Sequence, residues 1–288
     1  MPEGDTIFRT ARALGRALTG SVVRRFASSL AQLVQADDER TFVGERVIRV
    51  ESRGKWLLMI FAPAHSEAET AQRVLATHML MSGSWHLYRH GEAWQKPREQ
   101  ARIVVETDAF VAAGFRIPIA KIYTWRQLER ERKIPREEED LLHEKFDMEA
   151  AVKRLMARSR ESAGEVLLNQ RVLAGVGNVF KSEICFVERV SPFAPVSSLS
   201  AEQARSLVKR AQLLLTANVQ EDSGERIVTY RGRQRRTTHS ADPGASLWVY
   251  GRRGEPCRRC GAPIERVLQG EGARVTYWCP ACQPASSD

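Results

Sequence analysis

Cys257-Arg258-Arg259-Cys260 and, after eighteen intervening residues, Cys279-Pro280-Ala281-Cys282 set four thiols in two Cys-x2-Cys knuckles. Four thiolates at this spacing can close a tetrahedron on one structural zinc ion. The length between the pairs suits a β-hairpin that brings them together. Two disulfides are the alternative use of the same residues. The opening residues show no basic stretch followed by an apolar one, so a cytosolic, reducing setting is expected, and zinc is the favoured reading. The fifth cysteine, Cys185, lies in an apolar helical stretch and is expected to be an inert core thiol.

Outward from this module the charge is uneven. The 288-residue chain carries 44 Lys and Arg against 35 Asp and Glu, a formal +9, and 36 of the 44 cations are arginine. From Gly224 onward there are eleven Arg and no Lys against six acidic residues, so over half of the excess sits in about the last quarter. Guanidinium forks suit phosphate oxygens, and a polyanionic partner is expected. Other classes recede. Cysteine is too sparse for a disulfide scaffold, a 43% hydrophobic share is too high for a disordered chain, and no run approaches the roughly 18 apolar residues of a membrane span.

The texture of the chain changes along its length. Ile7, Ala11, Leu14 and Leu18 recur at spacings of four, three and four, one stripe of a helix that Gly20 ends and that Asp5 or Thr6 can cap. From Ser21 to about Tyr123, short β-branched and aromatic runs (Val47 to Val50, Trp56 to Phe61, Arg102 to Val105, Ile117 to Tyr123) predict a mainly antiparallel sandwich or barrel. A highly charged connector follows, then helical periodicity from about Met148, then a polar, basic stretch before the cysteines. The expected architecture is α+β and multidomain. A β-sandwich domain with a leading α-helix covers 1–125, a connector 126–147, a helical domain 148–222, a basic loop 223–250 and a four-cysteine zinc-finger β-hairpin 251–288. There is no internal repeat.

Pro2 offers unusual chemistry. Initiator methionine is ordinarily removed before so small a residue, which leaves a secondary amine. Attack of that amine on an aldehyde-level carbon gives an iminium, a permanently charged electron sink. An α-amino group starts near pKa ~8, and the positive end of the first helix lowers it toward the neutral, attacking form. The adjacent Glu3 can move protons. Taken alone, such a proline is more often just a helix starter.

The chain as a whole resembles the formamidopyrimidine-DNA glycosylase and endonuclease VIII family of bifunctional base-excision repair enzymes. Pro2-Glu3-Gly4 matches the family's N-terminal motif, Ser52-Arg53-Gly54-Lys55 its lysine motif, and His78 through Ser84 its insertion loop. Asn169-Gln170 with Leu173 through Asn178 matches its helix-two-turn-helix, and Gly254 through Gln283 its zinc finger, all in the family's order. The resemblance implies Pro2 as the nucleophile at C1′ and Glu3 as proton donor. It implies Lys55 and Arg274 as participants in the eliminations and in phosphate binding, although an arginine is a poor acid and Arg274 reads physically as a charge clamp. His78 and Asn178 are the other clamp positions, and Met81 is the side chain inserted where a base is flipped out. Cys257, Cys260, Cys279 and Cys282 become the zinc ligands. The implied partner is damaged double-stranded DNA, bound by a monomer with no membrane association.

The opening Pro2-Glu3-Gly4-Asp5-Thr6 is similar to the endonuclease VIII branch and points to oxidised pyrimidines, excised with β,δ-elimination of the strand. Thr6 stands where an acid is usual, and the Met-Ser-Gly of the insertion loop is closer to the oxidised-purine branch. That branch is therefore the alternative. A damaged-DNA-binding module without catalysis and a zinc-ribbon protein of RNA metabolism complete the set. The loop from Arg226 to Arg236 receives no base-reading role.

Overall fold

The computed structural model describes residues 2–66, 68–220, 229 and 246–284. They form two compact units, Met1–Arg136 and Glu137–Asp288. The basic loop expected at 223–250, with Arg226 to Arg236, lies outside the described residues except for Thr229 and 246–250.

In the first unit, helix α1 (Gly4–Leu18) is followed by β1 (Arg25–Ser28), α2 (Ala31–Glu39), β2 (Glu45–Arg53), β3 (Trp56–Pro63), β4 (Arg73–His78), β5 (Ser84–Arg89), β6 (Ala101–Glu106), β7 (Phe110–Phe115), β8 (Ile119–Thr124) and α3 (Trp125–Arg130). The strands make two four-stranded sheets, β1-β6-β7-β5 and β2-β3-β4-β8, with antiparallel neighbours throughout. Phe26, Ile103, Val105 and Ala112 from one sheet share a core with Val47, Leu57, Phe61 and Leu75 from the other, which makes the unit a sandwich. The α1 stripe of Ile7, Ala11, Leu14 and Leu18 is buried in the same core.

The unbroken apolar run from Trp56 to Phe61 has a simple cause. Side chains alternate across a strand, so Leu57, Met59 and Phe61 enter the sandwich core while Trp56, Leu58 and Ile60 go to the opposite face. There they pack with Tyr123, Leu128 and Ile134. The start of α1 departs from expectation. Its N-cap is Glu3, with no side-chain capping bond, and Asp5 lies within the first turn, ion-paired at 3.0 Å with Arg9 one turn on.

The second unit contains α4 (Met148–Met156), α5 (Ala163–Leu168), α6 (Asn178–Val187) and α7 (Ala201–Val219), then a two-stranded hairpin of β9 (Glu265–Gln269) and β10 (Arg274–Trp278). Leu155, Leu167, Phe180, Ile184, Cys185, Leu207 and Leu215 make its core. Burial pushes the Cys185 thiol up to about 12, as suits a core thiol. A smaller cluster of Phe186, Val249, Ile264, Cys257 and Cys279 joins the cysteine knuckles to the end of α6. Arg259, inside the first knuckle, lies 4.4 Å over the Phe186 ring and donates at 3.1 Å to the Phe186 carbonyl, which also accepts the Arg189 N–H at 3.2 Å where the helix ends.

Candidate nucleic-acid interface and metal centre

The first unit holds Pro2, Glu3, Lys55, His78 and Met81. Pro2 is half-buried ahead of α1, and Glu3 is fully buried at its N-cap. Asp5 is equally buried, and that desolvation raises its carboxyl above the usual range against the opposing pull of Arg9. Buried acid groups thus cluster at a helix end whose unpaired N–H groups favour negative charge.

Lys55 occupies the tip of the two-residue turn between β2 and β3. Gly54 precedes it at φ +58°, a conformation that suits glycine and sets the hairpin. Register places Trp56 of β3 opposite His78 of β4, their rings edge to face at 5.2 Å. Burial, with the Lys55 charge adding to it, lowers His78 to about 4, so the ring is neutral at pH 7. Its Nδ1 accepts the Leu80 backbone N–H at 3.1 Å.

His78 is the last residue of β4, and the chain then turns sharply. Met79 is buried, Leu80 is held at φ +47°, and the Gly83 N–H closes the loop on the Met79 carbonyl at 2.8 Å. A Cβ on Gly83 would stand 2.7 Å from that carbonyl oxygen, so the loop needs glycine there. The turn thrusts Met81 into solvent at 70% exposure, with Leu80 beside it at 45%. Leu80 is an exposed loop residue to which the motif reading of the sequence assigns no role. The signal was there in Met79-Leu80-Met81, three apolar residues between a strand and a glycine.

The second unit holds Asn178, Arg274 and the cysteines. Gln170 shapes the turn before α6, its Nε2 donating to the Leu168 and Val176 carbonyls and its Oε1 accepting the Gly175 N–H. Gly175 takes φ +105° within that turn. Asn178 is the first residue of α6, and its side-chain Oδ1 is buried without a hydrogen-bond partner among the described residues. Rotating the amide by half a turn would put its N–H donors at that place. Arg274 is exposed at the start of β10. The Tyr277 N–H of β10 donates to Ser182 Oγ on α6 at 3.2 Å, and Ser182 Oγ donates to the Asn178 carbonyl at 3.0 Å.

The four cysteine sulfurs lie within 4.8 Å of one another, with Cys260 to Cys279 at 3.5 Å and Cys257 to Cys282 at 3.9 Å. Tetrahedral zinc with bonds of about 2.3 Å sets its sulfurs about 3.8 Å apart, and the cluster fits one such ion. Hydrogen bonding from the backbone around Ala262 lowers the Cys260 thiol to about 7, while burial raises Cys279 and Cys282, so within the cluster Cys260 gives up its proton more readily than those two.

Comparison with known proteins follows this geometry closely. The family model described as the formamidopyrimidine-DNA glycosylase N-terminal domain matches residues 1–116, its H2TH domain matches 138–229, and a zinc finger found in FPG and IleRS matches 254–285. The chain belongs to the formamidopyrimidine-DNA glycosylase and endonuclease VIII family. It is 38% identical to a probable endonuclease 8 2 of Streptomyces coelicolor, over 98% of this chain and 94% of that one. It is 37% identical to a DNA-(apurinic or apyrimidinic site) lyase of Mycolicibacterium smegmatis, over 99% of this chain and all of that one. Lactococcus lactis formamidopyrimidine-DNA glycosylase, solved on DNA containing an abasic site, shares the fold with a TM-score of 0.75 at 19% identity, over 98% of this chain and 99% of that one. The family is one of DNA-repair glycosylases and lyases, and the four-cysteine module is its structural zinc finger. Among the described residues, no helix is long and apolar enough to cross a membrane.

Proposed function

We propose that the chain is a bifunctional DNA glycosylase and abasic-site lyase of base-excision repair, acting on oxidised bases in duplex DNA and foremost on oxidised pyrimidines. It works as a cytosolic monomer. The observation that carries the reading is the burial of Glu3 directly after Pro2 at the start of α1, where an acid and an amine share the positive end of a helix.

With Met1 removed, the neutral Pro2 nitrogen attacks C1′ of the damaged nucleotide and the base leaves with a proton. Glu3 supplies a proton to the ring oxygen as the C1′–O4′ bond opens, and an iminium joins Pro2 to the sugar. The iminium acidifies the C2′ hydrogen. Its loss expels the 3′ phosphate by β-elimination, and the 5′ phosphate follows by δ-elimination.

Four residues hold the flanking phosphates. Lys55 offers a charge at a hairpin tip, and Arg274 a guanidinium fork on an exposed strand start. His78 offers an N–H donor that stays neutral, and Asn178 an amide at a helix N-terminus, where backbone N–H groups also favour phosphate. The exposed Met81 fills the gap in the stack when the damaged base leaves it, which is a use for apolar surface otherwise costly to hold in water. Zinc, when bound, fixes the cysteine hairpin that carries Arg274.

The opening Pro2-Glu3-Gly4-Asp5-Thr6 and the endonuclease 8 name of the Streptomyces relative support the pyrimidine branch. The test is strand cleavage of end-labelled duplexes carrying one oxidised pyrimidine or one 8-oxoguanine. Faster cutting at the pyrimidine, leaving phosphate on both ends of the gap, is expected. Faster cutting at 8-oxoguanine would reassign the chain to the purine branch. Tight binding to abasic DNA with no cutting would reduce it to a damage-binding module.

A further inference from the structure

Lys181-Ser182-Glu183 on α6 are three consecutive polar or charged residues, and all three are fully buried. Each reaches a part of the chain far along in sequence. Glu183 accepts the backbone N–H groups of Trp248, Val249 and Tyr250 at 2.8 to 2.9 Å and the hydroxyl of Thr229. Ser182 accepts the Tyr277 N–H. Lys181 reaches the same hairpin strand, β10. Its Nζ donates to the Val275 carbonyl at 3.0 Å and to Thr276 Oγ1 at 2.5 Å.

From Lys181 the bonds continue in one direction. Thr276 Oγ1 donates to Gln269 Oε1 at 2.7 Å across the hairpin. Gln269 Nε2 donates to the Pro192 carbonyl at 2.7 Å and to Ser162 Oγ at 2.9 Å, and Ser162 Oγ donates to Glu165 at 2.5 Å. An amine thus connects to a carboxylate through two hydroxyls and an amide, each with its donor and acceptor used in order. A fully satisfied buried network of this kind fixes geometry, because a shifted member leaves a desolvated group unpaired. The far end of β10 is held by the Ser182 bond, by the rings of Trp278 on Phe193 and Tyr277 on Tyr250, each 4.8 Å apart, and by the knuckles, whereas the β9 side of the hairpin has less to locate it. Four of the five β9 residues are exposed, and its turn at Gly270 abuts Glu165, the far end of the chain of bonds.

We propose that Lys181 is a positioning residue for DNA binding, which through Thr276 and Gln269 locks the hairpin bearing Arg274 to the helix that starts at Asn178. The proposal rests on the reading of Arg274 and Asn178 as phosphate contacts. With the lock in place the two are presented in one fixed arrangement, and binding DNA need not order the hairpin first. Lys181 itself touches no DNA in this account.

The test is a double-mutant cycle read by affinity for a duplex carrying a tetrahydrofuran abasic analogue, on zinc-loaded full-length variants shown to be folded. Lys181→Met should weaken binding about tenfold, within the range of couplings between residues of one network. Thr276→Val, which breaks the same chain of bonds at the hydroxyl, should do likewise, and Thr276→Ser should bind as the parent does. In an Arg274→Ala background the loss from Lys181→Met should largely disappear. Should Lys181→Met fail to fold, Thr276→Val carries the cycle. Undiminished affinity in both variants, or losses that simply add to that of Arg274→Ala, would overturn the positioning role and leave the phosphate contacts standing. Parent-like binding by Arg274→Ala would overturn the contact itself, and the positioning role with it.

Discussion

The Nδ1 of His78 accepts the Leu80 backbone N–H at 3.1 Å, which leaves the proton of the neutral ring on Nε2. One bond therefore does two things. It folds the first turn of the loop that exposes Met81, and it sets the tautomer in which His78 can donate to an anion without itself being charged.

His78 should make stability depend on pH. Its folded pKa of about 4 lies below the ordinary 6.5, so as pH falls the unfolded chain takes up this proton first. The contribution is complete above pH 6.5 and is lost as pH falls toward 4. It amounts to at most about 3 kcal/mol, less after solvent screening of a half-buried ring. Urea unfolding of His78→Phe, which keeps a ring against Trp56, should show a smaller loss between pH 7 and 4.5 than the parent. An equal loss would put the pH dependence elsewhere.

The insertion loop separates stability from binding. Met81→Ala removes exposed atoms and should leave stability within about 0.5 kcal/mol while weakening binding to a duplex with a flipped nucleotide. Gly83→Ala places a Cβ against the Met79 carbonyl and should cost about 1–3 kcal/mol as well as affinity. Denaturation midpoints and titrations of abasic duplex measure both. An unchanged midpoint for Gly83→Ala would contradict the loop geometry.

Arg274→Ala should reduce the slope of log affinity against log salt by about one, since one cationic phosphate contact is lost, with little change in melting temperature. Titrations over a range of salt concentrations read this directly. An unchanged slope would remove Arg274 from the clamp.

Zinc content should track the hairpin. Cys282→Ser should lose the bound ion, lower the melting temperature and weaken DNA binding, because the cysteine cluster packs on Phe186 at the end of α6. Metal analysis beside thermal unfolding checks it. Full zinc occupancy in that variant would contradict the four-thiol site.

What the sequence disclosed and what it concealed divide on physical lines. The α1 stripe from Ile7 to Leu18 and the run from Trp56 to Phe61 were legible because burial there follows the periods of helix and strand. The cysteine knuckles were legible because ligand spacing is local. Helix α2 buries only Leu33, so no stripe announced it. Helix α1 starts a residue or two before its capping residue types suggest, because Asp5, a good capping type, is instead buried and paired with Arg9. Lys181, Ser182 and Glu183 were opaque for a stronger reason. Apart from the Asn178 carbonyl four residues back, the partners named for them stand 46 to 95 residues away, and nothing local distinguishes a polar triplet that meets them from one that meets water.

The central claim is that Pro2 is the nucleophile. Borohydride trapping of the untagged, mature protein on a duplex with a single abasic site, followed by mass spectrometry of the cross-linked peptide, tests it most directly. The account predicts a covalent adduct on the Pro2 nitrogen. A folded, zinc-loaded protein that gives no adduct, or one whose adduct lies on Lys55, would contradict it.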